Sequence, residues 1–196
     1  MMFDIADLEK NYASFSDEKL IQLATKEVAN LRPEAVEILQ KELRMRGLSK
    51  NISEGISVQL NPLTEEQIHF YIDLIENLPC PICNSNLQHL DAIQISEVVS
   101  FFVITNHTQT LKIACPVCLD KALDRATIKT LLLGWWHLPG GLIQTIKGLD
   151  LNAKTKKTLI SKQKNNLLQE FVAQNAGIIE TYKNDKSKLL NIIFNA

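Results

Sequence analysis

Four cysteines in two matching patterns are the residues of this sequence best suited to chemistry. Cys80 and Cys83 belong to the sequence CPIC, Cys115 and Cys118 belong to CPVC, and the chain has no other cysteine. A two-residue spacing lets a short loop aim both sulfur atoms at one point, and two such pairs can supply the four tetrahedral ligands that Zn²⁺ prefers. The spacing therefore predicts a structural zinc site bound by all four cysteines.

Other uses of these thiols remain open at this stage. One or both pairs could act as a redox dithiol, the four thiols could simply pack in a core, or His89 or His107 could replace one cysteine as a ligand. Four cysteine ligands leave no coordination position for water, which argues against metal-assisted hydrolysis. No nucleophile elbow, glycine-rich phosphate loop or HExxH motif is present, so we expect a protein that is not an enzyme and has no catalytic residues.

The segments around the cysteines must bring the two pairs together. Residues 93–104 and 108–114 are rich in β-branched and aromatic side chains, which predicts a hairpin with TNHT as its turn. From Leu119 to Leu133 the apolar residues recur at helical spacing. The order of loop, hairpin and helix predicts a treble-clef module, and a zinc-ribbon-like module is the alternative.

The stretch GWWHLPGG, residues 134–141, is the second distinctive feature. Adjacent tryptophans point in different directions on a regular element, so Trp135 and Trp136 are candidate partner-binding residues. Three interpretations remain open: a buried corner that closes the zinc module, a wedge that docks on a membrane interface or a partner, and a ligand pocket.

Charge is distributed unevenly along the chain. Residues 1–120 carry 9 basic and 17 acidic residues, a net charge of −8, whereas residues 121–196 carry 12 and 5, a net charge of +7. Lys154, Lys156 and Lys157 are therefore further candidate partner-binding residues, and the lysine-rich segment 147–164 is a candidate nucleic-acid surface. The same lysines would also suit a solvated helix or internal docking on the acidic half.

The N-terminal region predicts a pair of helices. Ser16 is a natural N-cap with Asp17 and Glu18 in the first turn, Pro33 suits the first position of a second helix, and Gly47 suits its C-terminal end. Thr64 and Gln67 form a capping box that opens a third helix, which leads into CPIC.

These patterns together predict a mostly helical α+β protein with four parts. The parts are an N-terminal helical hairpin over residues 1–48, a linker over 49–63, a zinc-binding α+β module over 64–150 and C-terminal amphipathic helices over 151–196, with a break near Gly177.

The beginning of the sequence has neither a basic region nor an apolar run of the signal-peptide type, so we expect a cytoplasmic protein. The longest apolar run, residues 131–146, is interrupted by His137, Pro139 and glycines and is too short to span a bilayer as a plain helix. Contact with the inner face of the membrane remains open.

Several of these motifs together resemble a group of uncharacterised bacterial zinc-finger proteins. That group combines paired CxxC motifs with a following GWWxxPxG stretch and a preceding helical segment. The matching residues here are SDEKL at 16–20, RPEAVEIL at 32–39, ELRMRG at 42–47, the two CPxC pairs and GWWHLPGG. The resemblance implies zinc binding and implies no reaction.

We therefore expect a non-enzymatic interaction or adaptor protein that is stabilised by Zn²⁺. Its partner is expected to be another protein, while nucleic acid, a membrane surface and a second copy bound through the C-terminal helices are alternatives.

Overall fold

A computed structural model describes residues 5–102, 104–137, 139–161 and 166–195, without the side chains of residues 49 and 50. The described chain is mostly helical and contains one antiparallel hairpin, in agreement with the predicted α+β class. Two compact units are present, one formed by residues 1–74 and 169–189 and the other by residues 75–168 and 190–196. We call them the helical unit and the hairpin unit.

The helical unit begins with three α-helices and continues through two more before the chain enters the hairpin unit. They are α1 (Ile5–Ser14), α2 (Asp17–Gln22), α3 (Pro33–Met45), α4 (Ser49–Leu60) and α5 (Glu65–Glu76), the last of which crosses the unit boundary. A π-helical turn (Leu23–Glu27) and a 3-10 turn (Val28–Asn30) extend α2.

Predicted helix ends in this unit are confirmed. The Ser16 hydroxyl accepts a hydrogen bond from the Lys19 amide at the start of α2, and Pro33 is the first residue of α3. At the start of α5 the Thr64 hydroxyl accepts from the Gln67 amide, and the Gln67 side chain accepts from the Thr64 amide. The capping box is therefore complete.

Arg46 fastens the first helices of the unit to the end of α3. Its guanidinium donates to the Phe15 carbonyl at 2.7 Å, the Ala13 carbonyl at 2.8 Å and the Asp17 carboxylate at 2.9 Å. The Glu42 carboxylate accepts from the same guanidinium at 2.7 Å. One side chain thus satisfies carbonyls at the end of α1 and orients the start of α2, which is the structural use of the ELRMRG motif.

The predicted linker over residues 49–63 is corrected by the structure, because helix α4 occupies most of it. Ile52 and Ile56 of α4 are buried in the same apolar core as Leu20, Leu39 and Leu43. The sequence of α4 contains Gly, Asn and several Ser, all weak helix formers, so burial of its apolar face outweighs local propensity here.

The expected break near Gly177 is confirmed, because one helix ends at Gln174 and the next begins at Ala176, with Asn175 between them. Gly177 lies inside helix α9 (Ala176–Thr181), which follows α8 (Leu167–Gln174) and precedes α10 (Lys186–Phe194). A Cβ atom on Gly177 would lie 2.5 Å from the Thr25 carbonyl oxygen and 2.8 Å from that of Gly55 in α4. The glycine therefore permits close helix packing rather than ending a helix.

The hairpin unit contains strands β1 (Asp91–Phe101) and β2 (Ile104–Ala114) and helices α6 (Pro116–Leu133) and α7 (Gly140–Ile160). Both helices pack on β1 and on each other. The predicted helix after the second cysteine pair is confirmed, whereas the expected domain boundary after residue 150 falls within α7.

The turn of the hairpin is not TNHT. Phe101 pairs with Ile104, so the turn lies between these two residues and TNHT lies within β2. Phe102 has a φ of +39°, a backbone conformation that favours glycine or asparagine in two-residue hairpin turns. Turn composition was misleading because the apolar residues are at the tip and the polar ones are paired in the strand.

Among the described residues, no helix combines the length and the apolar character needed to cross a membrane.

Gly177→Ala should destabilise the packing of α9 on α4 by about 2 kcal/mol, because the new methyl group would press on two backbone carbonyls. Hydrogen exchange of the α4 amides measures this as roughly thirtyfold faster opening. Ser53→Ala, an exposed change on α4, serves as the control and should leave exchange almost unchanged. Unaltered exchange in the Gly177 variant would contradict the close approach.

Candidate metal centre

The hairpin brings the two cysteine pairs to the same place. Asp91 at the start of β1 pairs with Ala114 at the end of β2, and Cys115 follows directly. The chain that leaves the first pair therefore returns, after two strands of 11 residues each, beside its starting point. The 31-residue separation between Cys83 and Cys115 is taken up mainly by this hairpin.

The first pair lies in a closed turn. The Asn84 amide donates to the Cys80 carbonyl at 2.8 Å, and the Cys80 amide donates to the Ser85 carbonyl at 3.0 Å. Asn84 adopts a φ of +56°, which asparagine tolerates better than most residues. The turn points both sulfur atoms of the pair toward the second pair.

The second pair lies at the beginning of α6. Cys115 is the N-cap residue, Pro116 is the first helical residue, and the amides of Cys118 and Leu119 both donate to the Cys115 carbonyl. The missing N–H of Pro116 costs nothing at this position, since the first helical amides have no partner within the helix. The exposed amides and the dipole of α6 favour negative charge on these sulfur atoms.

The sulfur atoms of Cys80, Cys83, Cys115 and Cys118 all lie within 4.8 Å of one another. Those of Cys83 and Cys115 are 3.7 Å apart. A tetrahedral ion with sulfur ligands at about 2.3 Å holds them about 3.8 Å apart, so the arrangement needs little adjustment to bind one ion. None of the four is in a disulfide.

Burial differs around the site. Cys80, Cys115 and Cys118 are buried, whereas Cys83 is exposed. The cluster therefore lies at the edge of the unit, reachable by an ion from solvent on the side of Cys83.

Hydrogen bonds from backbone amides promote ionisation of the Cys80 thiol. Burial opposes ionisation of Cys80, but hydrogen bonds from the amides of Cys115, Cys83 and Ile82 together lower its pKa to about 6. The Cys115 amide lies 3.4 Å from the Cys80 sulfur. These amides therefore favour the thiolate form of Cys80.

The remaining buried thiols behave differently. Burial raises the pKa of Cys115, and it raises that of Cys118 to about 12 with a further contribution from the neighbouring thiols. Four sulfur atoms so close together cannot all carry charge unless a cation balances it. The electrostatics of the cluster therefore fit a metal ion as the compensating charge.

Histidine does not complete the cluster. His107 lies in β2, where its Nε2 atom is 2.8 Å from the Ser96 hydroxyl, and His89 is exposed. Among the described residues, the group able to bind a metal ion consists of cysteines alone.

Helix α7 is fixed to the hairpin through a buried asparagine. The Asn152 side chain accepts from the Ser96 amide at 2.9 Å and donates to the Ser96 carbonyl at 2.8 Å. The Thr130 hydroxyl of α6 accepts from the Val98 amide at 3.0 Å. Strand β1 thus obtains side-chain partners from both helices where it has no neighbouring strand.

The two tryptophans follow the C-terminal end of α6, and the cysteines lie at its N-terminal end. Trp135 is 38% exposed and Trp136 is 68% exposed, so neither is enclosed in a core. The 18 residues of α6 separate them from Cys115 by about 27 Å. Sequence reasoning selected these residues but missed Phe101, Phe102 and Ile104, which are also exposed, because the hairpin turn was misplaced.

The three candidate lysines are not equivalent. Lys156 contacts Asp120 and Asp124, and the hydrogen bond to Asp124 raises its pKa. Lys154 is paired with Asp150 at 2.7 Å. Lys157 is exposed and has no ion-pair partner in the part of the chain that the structure describes, which does not include Lys162 and Lys164.

Comparisons with models of protein families, with curated proteins and with solved structures gave no significant match. The function is therefore inferred from the geometry of this chain.

Asn152→Ala should lower the free energy of unfolding of the hairpin unit by about 2 kcal/mol, because two buried backbone groups of Ser96 would lose their partner. Urea unfolding followed by tryptophan fluorescence reports this unit, since both tryptophans belong to it. Lys157→Ala, an exposed change on the same helix, is the matched control. Equal midpoints for the two variants would contradict the assigned role of Asn152.

Proposed function

We propose that this chain is a non-enzymatic interaction protein whose hairpin unit is stabilised by one Zn²⁺ ion bound to Cys80, Cys83, Cys115 and Cys118. The observation that carries the proposal is the convergence of the four sulfur atoms within 4.8 Å. Zinc supplies the positive charge that lets neighbouring thiolates coexist, and it shows no redox chemistry of its own.

The sulfur set favours zinc over other ions. Thiolates are soft ligands, and a tetrahedral arrangement of four is typical of Zn²⁺ or of iron–sulfur centres. An iron–sulfur cluster would be placed between the cysteines and would hold them farther apart than a single ion does. The 3.7 Å separation of the Cys83 and Cys115 sulfur atoms suits one ion.

The arrangement of elements supports a treble-clef-like module. A turn carries the first pair, a hairpin follows, and the second pair lies at the start of a helix. A zinc ribbon would place the second pair on another hairpin, and the described residues contain one hairpin only.

The proposed interaction role belongs to the part of the unit outside the metal site. A closed four-cysteine site offers no coordination position to a substrate, so the ion serves the fold. The exposed aromatic and aliphatic residues at the opposite end of α6 are then the surface available to a partner.

The nucleic-acid alternative has weaker support. Lys154 and Lys156 are in ion pairs with acidic residues of the same unit, which leaves Lys147 and Lys157 as the unpaired lysines of α7 among the described residues. Phosphate binding requires several unpaired cations.

Purified protein should contain one zinc per chain, and Cys83→Ser should lower that content and the affinity for zinc because a thiolate ligand is lost. Elemental analysis and a competition titration with a chromophoric chelator measure both quantities. Ile82→Ser alters an exposed side chain in the same turn and should keep the wild-type content. Protein without zinc, or equal zinc loss in both variants, would contradict the proposal.

Removal of zinc by a chelator should unfold the hairpin unit and spare the helical unit, since the ion joins segments that are distant in sequence. Hydrogen exchange should rise throughout β1, β2 and α6 and stay low in α3 and α4. An identical exchange pattern with and without zinc would show that the ion does not stabilise this unit.

A further inference from the structure

Exposed apolar side chains gather at the end of the hairpin unit that is opposite the cysteines. Phe101, Phe102, Trp136 and Leu132 are 73%, 75%, 68% and 66% exposed. We call this surface the apolar end, and it comprises Phe101, Phe102 and Ile104 of the hairpin, Leu131, Leu132 and Leu133 of α6, Trp135 and Trp136, and Leu142, Ile143 and Ile146 of α7.

Hydrogen bonds hold these parts beside one another. The Ser100 hydroxyl, next to the hairpin tip, donates to the Gly134 carbonyl at 2.6 Å. The Thr105 hydroxyl on the other strand lies 2.9 Å from the Nδ1 atom of His137. The hairpin tip is therefore held against the turn that contains both tryptophans, which places the exposed aromatic residues of the two segments at the same end of the unit.

The interior beneath this surface is unusually polar. The buried positions of α7 are Gly141, Thr145, Gly148 and Asn152, while Leu142, Ile143 and Ile146 of the same helix are exposed. A helix in water normally shows the reverse distribution, with apolar residues facing the core. An arrangement with small and polar residues inside and apolar residues outside is typical of helices surrounded by lipid.

Strand β1 and helix α6 show the same change along their lengths. Near the cysteines they bury large apolar residues such as Ile93, Leu119 and Leu123, whereas near the apolar end they bury Ser100 and Thr130. Ser96 and Val98 lie between these positions and are also buried, so the interior becomes more polar toward the apolar end without becoming wholly polar.

Both indole N–H groups already have partners within the protein. Trp135 donates to the Leu131 carbonyl at 2.7 Å, and Trp136 donates to the Leu132 carbonyl at 3.2 Å. The rings can consequently leave water without losing a hydrogen bond. Tryptophan is enriched where proteins meet the boundary between lipid head groups and acyl chains.

The unpaired charges nearest the apolar end are basic. Residues 98–111 contain no charged side chain, and residues 125–149 contain Arg125, Lys129 and Lys147 but no acidic residue. Lys129 is paired with Glu97. Arg125 and Lys147 are exposed and have no ion-pair partner among the described residues. Basic residues beside an apolar surface are attracted to anionic lipids.

We propose that the apolar end inserts into the head-group region of an anionic lipid bilayer, with the zinc site remaining in water. The proposal rests on the proposed function, because zinc keeps the hairpin unit folded, and it names the partner as lipid. A symmetric contact between two copies through the same surface would bring like charges together and is therefore less favoured than an anionic membrane.

The tryptophan emission of the full chain tests this directly, since Trp135 and Trp136 are its only tryptophans. Zinc-loaded protein is mixed with vesicles of phosphatidylcholine alone or of phosphatidylcholine with phosphatidylglycerol. We expect a blue shift and quenching by lipids brominated on the acyl chain, stronger with the anionic vesicles. Unchanged emission with both vesicle types would overturn the proposal.

Vesicle co-flotation of variants locates the surface. Phe102→Ser with Trp136→Ser should weaken binding roughly tenfold or more, because two exposed aromatic groups are lost. Phe70→Ser with Leu87→Ser removes two exposed apolar side chains elsewhere and should bind like the wild type. Equal loss in both double variants would overturn the assignment of the surface.

The charge contribution has its own variants. Arg125→Gln with Lys147→Gln should reduce the preference for anionic vesicles several-fold, whereas Lys154→Gln, at a lysine paired with Asp150, should change it little. Equal binding of wild-type protein to neutral and anionic vesicles would refute anionic lipid as the partner.

Two further results separate this proposal from its alternatives. The protein could fail to bind vesicles and instead form a dimer, detected by sedimentation, that dissociates in the Trp136→Ser variant. That result would assign the apolar end to self-association and overturn lipid binding. Protein that contains zinc but does not bind vesicles would contradict the lipid proposal alone, whereas protein that binds vesicles without containing zinc would contradict the proposed zinc site.

Discussion

The close approach of four cysteine sulfur atoms is the constraint around which the hairpin unit is arranged. These atoms come from a turn before β1 and from the first turn of α6, and the backbone holds them within 4.8 Å. Without a cation this cluster favours protonation of its buried thiols, as the raised pKa values of Cys115 and Cys118 indicate. A bound Zn²⁺ would join the turn before β1 to the first turn of α6, two segments that are distant in sequence.

That link has consequences at the other end of the unit. Helix α6 starts at the cysteines and ends before Gly134. The ion would therefore fix the orientation of α6 and with it the position of the turn that contains Trp135 and Trp136. The long hairpin runs from the same site to the same turn and is fastened there by Ser100 and Thr105. The proposed metal site and the proposed lipid surface thus lie at the two ends of the same unit.

Short-range patterns made the candidate metal site predictable. The two CPxC pairs and the capping box before α5 each depend on a few neighbouring residues, and the structure places them as expected. The spacing of the cysteines was enough to select the four side chains that come together, without any knowledge of the hairpin register.

Features that depend on contacts between distant residues were not predictable. Helix α4 has weak local propensity and owes its place to Ile52 and Ile56 in the core, and Gly177 permits an approach to Gly55 that no local pattern shows. The hairpin turn was misplaced because its tip is apolar, against the usual composition of turns. Phe102 at that tip is exposed, and it was not identified from the sequence because turns usually consist of polar residues.

X-ray absorption at the zinc edge of the purified full-length protein tests the central claim most directly. The account predicts a shell of four sulfur atoms at about 2.3 Å from a single zinc ion, with no nitrogen or oxygen ligand. A shell containing nitrogen or oxygen, or a signal with fewer sulfur atoms, would contradict a closed site built from Cys80, Cys83, Cys115 and Cys118.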